Sequence, residues 1–113
     1  MCIQGHVYKI VHLDSNICYI GSTCDSISGR WRTHKAGYNN WISNKEKYSK
    51  IAIYPYFEQY GIDRFKMILI NNYLVIDKDH LRAYEQLAID TNQCVNQQAA
   101  LQLINSYCMV KHY

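Results

Sequence analysis

No stretch of the sequence is long and apolar enough to span a membrane, and the opening Met1-Cys2-Ile3-Gln4-Gly5-His6 lacks the charged and apolar regions of a signal peptide. These absences predict a soluble, intracellular protein with no membrane partner. The five cysteines are an odd number and none forms a Cys-x-x-Cys pair, which argues against a disulfide framework and against a disulfide-linked partner. Structural zinc is a poor fit as well, even though Cys108 and His112 are four residues apart. The cysteines therefore read as reduced and mostly buried. Internal repeats, low-complexity tracts and linkers are also missing, and 113 residues suffice for a single domain spanning 1–113.

What the chain does have is apolar and aromatic material. Hydrophobic residues make up 49% against 19% charged, a balance that favours a packed core over disorder. Eleven tyrosines supply amphipathic bodies suited to a small core, to a nucleic-acid surface, or to both. The formal charge of +3 is too small to announce a nucleic-acid binder, but its distribution is uneven. Arg30, Arg32, Lys35, Lys45, Lys47 and Lys50 face only Glu46 between Ser26 and Lys50. Such a stretch can neutralise phosphates or can simply be a solvated face, and composition leaves both readings open.

Val7-Tyr8-Lys9-Ile10 and Cys18-Tyr19-Ile20-Gly21, joined through Asp14-Ser15-Asn16, read as a β-hairpin. Asp25 or Ser26 can cap a helix ending near Gly37, with Arg30 and His34 on one face and Trp31 and Ile27 on the adjoining one. Tyr38 to Tyr48 has no clean period and reads as a loop or short helical turn anchored by Trp41 and Ile42. Pro55, the only proline, can begin a short helix that runs to Tyr60 and ends at Gly61. Phe65 to Ile70 reads as a third strand. Asp77 or Asp79 then caps a helix to about Asp90, with Leu81, Tyr84, Leu87 and Ala88 as its buried stripe and Glu85 beside it. The tail from Ala99 to Tyr113 reads as one more short amphipathic helix. The expected fold class is α+β, a three-stranded antiparallel sheet flanked by helices.

An ordered set of motifs carries more than any one of them. His6-Val7-Tyr8, Tyr19-Ile20-Gly21 with Ser22-Thr23, Arg30-x-x-x-His34, Tyr60-Gly61-Ile62-Asp63-Arg64-Phe65, Glu85 with Ile89, and Cys94-Val95-Asn96 follow one another from about Gly5 to Gln98. Taken together they resemble the GIY-YIG nuclease family, and are similar to its small stand-alone members of the phage and large DNA virus kind. For a viral member the intracellular site would be the cytoplasm or nucleus of the host cell.

The resemblance implies a metal-dependent endonuclease that nicks or cleaves DNA. It makes Glu85 the sole protein ligand of one divalent cation, magnesium, with manganese able to substitute. A single carboxylate leaves most positions to water and substrate oxygens, which suits magnesium. Tyr8 would be the general base or the group that orders the attacking water. A free phenol titrates near 10, so a neighbouring cation must lower it, and the metal, Arg30 and Lys9 are the candidates. Tyr19 would bond the water or the scissile phosphate, Arg30 would grip that phosphate, and His34 would relay a proton or bond the phosphate. Lys9, Arg32 and Lys35 are candidate nucleic-acid contacts, together with Asn96, which also resembles the family asparagine that braces the site. The sequence departs from the family name at His6, where glycine is expected, with Gly5 just before it. No segment is long enough to be an additional recognition domain. Two other functions fit the composition: a non-catalytic nucleic-acid-binding module of the same fold, and a tyrosine-rich protein interaction domain.

Overall fold

Three antiparallel strands carry an α+β fold in the computed structural model of the protein, which describes residues 3–48 and 50–96. In chain order the elements are β1 (Ile3–His12), β2 (Cys18–Thr23), α1 (Ile27–Ser43), α2 (Tyr54–Tyr60), a short 3-10 turn (Ile62–Arg64), β3 (Phe65–Val75) and α3 (Lys78–Thr91). The sheet order is β2-β1-β3, so the first strand is central. Its pairing with β2 sets Tyr8 opposite Gly21 and Ile10 opposite Tyr19. Against β3 the register slips between Val7 and Tyr8, from Asn71 to Leu69, leaving Ile70 as the extra residue of a bulge.

A central strand has both faces to bury, and β1 supplies apolar groups to each in alternation. Tyr8 and Ile10 join Trp41 of α1, Tyr54 and Phe57 of α2 and Phe65 of β3 in one buried cluster. Val7 joins Ile20, Val75 and, from α3, Leu81 and Ile89 in the other. Helices α1 and α2 thus cover one face and α3 the opposite one. Gly5 belongs to the second contact, since a Cβ there would come within 2.6 Å of the Leu81 side chain.

Local chemistry sets the element ends. Ser26, and not Asp25, caps α1, its hydroxyl accepting from the Gly29 amide at 3.1 Å. Asp77, and not Asp79, caps α3 through the His80 amide at 2.8 Å. Gly61 closes α2 at φ 88°, a left-handed conformation that suits glycine.

Four expectations are corrected. Helix α1 does not stop near Gly37 but runs on to Ser43, taking in much of the expected loop. Gly37 is a packing residue there, because a Cβ would lie 2.3 Å from the Tyr54 hydroxyl, and Tyr38 and Trp41 continue the buried stripe beyond it. Ile42 points outward and anchors nothing, being 38% exposed. On α3 the buried stripe is Leu81 and Ile89 with Tyr84 and Ala88 at its margins, whereas Leu87 is 58% exposed. Strand β3 is also longer than the apolar run foretold, continuing to Val75. The expected tail helix, with Cys108 and His112, lies outside the described residues.

Behind α3 the chain crosses the free edge of β2. Cys94 enters one cluster and Val95 the other. Asn96 then accepts from the Ile20 amide at 2.8 Å and donates to the Ile20 carbonyl at 2.7 Å. One carboxamide thus gives Ile20 the pair of edge hydrogen bonds that a fourth strand would give it.

Phe57 joins helices and sheet, with edge-on rings from Trp31, Tyr38 and Phe65 within 4.9–6.0 Å. Phe57→Ala should lower stability by about 3–5 kcal/mol in urea unfolding. A loss under about 1 kcal/mol would show that the cluster does not hold the layers together.

Candidate active site

The Tyr8 side chain crosses over Gly21 of the neighbouring strand. A Cβ at position 21 would sit 2.4 Å from the Tyr8 hydroxyl, so only glycine lets the phenol lie there. The hydroxyl then meets α1, where its oxygen lies 2.7 Å from His34 Nε2 and accepts from Arg30 Nε at 3.2 Å. Spacing of four on α1 puts Arg30 and His34 one turn apart on the same face. Tyr19 stands beside them, its ring edge-on to His34 at 5.9 Å, as the Tyr8 ring is at 5.8 Å. Four of the five expected catalytic residues thus gather around the Tyr8 hydroxyl and the His34 ring.

The fifth, Glu85, belongs to α3 and comes to the group past edge strand β2. Ser22 Oγ donates to its carboxylate at 2.6 Å, one residue beyond Gly21. Among the described residues no basic side chain forms an ion pair with Glu85; Arg82 is turned to Asp79 instead. No group of three potential metal ligands occurs among the described residues, so Glu85 is a lone half-buried carboxylate with one oxygen oriented by a hydroxyl.

The electrostatics follow from burial. Desolvation pushes the Tyr8 phenol above its ordinary value; the Arg30 hydrogen bond and charge pull against this without winning, and the charge of Glu85 adds a smaller push. Arg30 is therefore the cation that eases Tyr8 ionisation, yet the net shift is opposite to the one expected. Tyr19 is raised too, by burial first and then by Tyr8 and Glu85. His34, 1% exposed, is driven down to about 4 by burial and by the Arg30 charge. It is neutral at physiological pH. The Tyr8 hydroxyl and His34 Nε2 share one hydrogen bond, whose direction goes with the imidazole tautomer. Nδ1 is buried without a hydrogen-bond partner among the described residues.

The remaining candidates divide. Asn96 spends both ends of its amide on Ile20 and braces the strand that carries Tyr19 and Gly21. Lys9 is next to Tyr8 in β1 and so projects to the other face, where its charge is felt by the Cys18 thiol. Arg32 and Lys35 are exposed on α1, with the Lys35 ammonium 5.3 Å from the Trp31 ring centre. Two residues without a role in the sequence reading also belong here. Ser22 was visible within the second motif, but its partnership with Glu85 spans 63 residues. Tyr54 packs its hydroxyl over Gly37, and the Arg30 charge eases its ionisation against burial; no sequence signal marked it.

A family model described as GIY-YIG catalytic domain matches residues 4–97. The chain is also similar to an MSV199 domain-containing protein, 146R, of Invertebrate iridescent virus 6, with 31% identity over 83 residues. That match takes in 74% of this chain but 31% of the relative, so the chain spans about a third of the relative's length. No solved structure matches the chain.

The depressed His34 pKa makes a pH prediction. The unfolded chain binds a proton near 6.5 while folded His34 resists it down to about 4, so its stabilising contribution is complete above 6.5 and is lost as pH falls towards 4. The loss is on the order of 3 kcal/mol. Urea unfolding between pH 7 and pH 4 should therefore show a shallower decline for His34→Gln than for the parent; equal slopes would refute a neutral buried His34.

Proposed function

The chain belongs to the GIY-YIG catalytic domain family, a nuclease family, and from that premise we propose that it is a metal-dependent endonuclease acting on DNA as one domain. The observation that carries the reading is the Tyr8 hydroxyl held between His34 and Arg30, with the Glu85 carboxylate near enough for its charge to be felt there.

Phosphodiester hydrolysis needs a positioned and deprotonated water, charge to offset the crowded phosphate, and help for the leaving oxygen. Arg30 grips the scissile phosphate with its planar fork and offsets the charge that develops on it. Tyr8, kept protonated by burial, orders the attacking water by hydrogen bonding, with His34 Nε2 holding the hydroxyl in place. Tyr19 supports the same water or the phosphate from β2. Glu85 holds the cation: its carboxylate is not neutralised by any ion pair among the described residues and has one oxygen oriented by Ser22. That donor set fits a hard ion that keeps most of its water, magnesium or manganese. When bound, such an ion polarises phosphate oxygens and makes a coordinated water more acidic. Arg32 and Lys35 meet neighbouring phosphates, and Asn96 acts on the reaction only through the strand it braces.

The test is a cleavage assay on supercoiled and linear DNA, with and without magnesium, beside Glu85→Ala and Arg30→Ala. The expected outcome is cutting that requires the metal. Glu85→Ala should fall by about 10²-fold or more while still binding DNA, and Arg30→Ala should lose both cutting and affinity. Folded protein that leaves DNA intact in magnesium and manganese from neutral to alkaline pH, yet binds it in a salt-dependent way, would identify a binding module instead.

A further inference from the structure

Beside edge strand β2 a cleft of about 360 Å³ opens between α1 and α3, and its lining includes Ser22, Asp25, Arg30, Leu81, Lys78 and Arg82. Three cations against one carboxylate make the walls net positive, and the cations come from helices on opposite faces of the sheet. On α3, Lys78, Arg82 and Glu85 stand at i, i+4 and i+7, one row along the helix, with axial steps of about 6 and 4.5 Å. The row thus leads from Glu85, hydrogen-bonded by Ser22 of the cleft wall, to two basic side chains in the same cleft.

Neither basic group is committed elsewhere. Lys78 forms no ion pair among the described residues, and Arg82 meets Asp79 only at 3.9 Å with both side chains largely exposed. Pairs of that kind contribute little and yield readily to a stronger anion. Arg82 can take a phosphate bidentately, and Lys78 can approach one as a point charge.

We propose that Lys78 and Arg82 form a second phosphate subsite, holding the backbone phosphate next to the one at Arg30 and Glu85. The substrate strand then lies in the cleft with a basic wall on each side, which orients it relative to the carboxylate. This assignment rests on the nuclease reading, and sequence specificity is no part of it, because phosphate contacts position the strand without reading bases.

The experiment measures binding of a fluorescent DNA duplex to Glu85→Gln protein across a salt series, so that cleavage does not intrude. Adding Lys78→Ala and Arg82→Ala should weaken binding at least about tenfold at low salt and reduce the log–log salt slope by about 2. Lys66→Ala, an exposed cation on β3, should change neither quantity. The charge-preserving exchange Lys78→Arg with Arg82→Lys should retain the slope, which a folding defect at this surface would not allow. In the cleaving protein the Lys78→Ala, Arg82→Ala pair should raise KM far more than it lowers kcat. A parent-like slope and affinity in the double alanine protein overturns the subsite, even if the parent cuts DNA. The predicted loss of slope in a chain that never cuts keeps the subsite and removes the nuclease reading. A parent that binds no DNA ends both.

Discussion

A tyrosine laid across a glycine on the adjacent strand is the constraint from which the rest follows. Tyr8 and Gly21 are register partners, and the missing side chain at Gly21 leaves room for the phenol to reach α1. A larger residue there would displace the hydroxyl from both Arg30 and His34. The same alternation that sends Tyr8 to α1 sends Val7 to α3, so β1 ties the two layers together through adjacent residues.

With both faces of the central strand covered, the candidate site lies towards one edge of the sheet. Strand β2 is one of the two edge strands, and residues 94–96 fold over it, with the Asn96 amide completing the hydrogen bonds of Ile20. Around that braced strand a guanidinium arrives from one face and a carboxylate from the other. Burial keeps His34 neutral and both hairpin phenols protonated, so Arg30 and Glu85 are the principal formal charges of the resting site. A neutral imidazole with a buried, unpartnered Nδ1 costs about 1–3 kcal/mol in lost hydrogen bonding. That cost is tolerated where the other ring nitrogen holds the Tyr8 hydroxyl in place.

Much of this was legible in the chain because it is local. The hairpin strands, the paired cap candidates of α1 and α3, the end of α2 at Gly61 and the Arg30–His34 spacing depend on residues a few positions apart. Glu85 and Asn96 were found through the order of the motifs, not through any local property. The failures share one cause. Gly37 looks like a helix terminator until Tyr54 is placed against it, and α1 continues because Tyr38 and Trp41 find a partner in α2. Leu87 has the spacing of a buried residue, but α3 is rotated so that Leu81 and Ile89 take the core.

The sequence by itself marked the three strands, narrowed the starts of α1 and α3 to two cap candidates each and supplied the candidate site residues, since strand alternation, capping and turn geometry are written in neighbouring residues. Tertiary structure decided which groups meet: Glu85 with Ser22, Asn96 with Ile20, Tyr8 with His34, and Lys9 on the face away from Tyr8. It also set the direction of the phenol shift. A pKa in a folded site is fixed by how much water burial removes, and that is a property of packed layers, which no single stretch of chain contains.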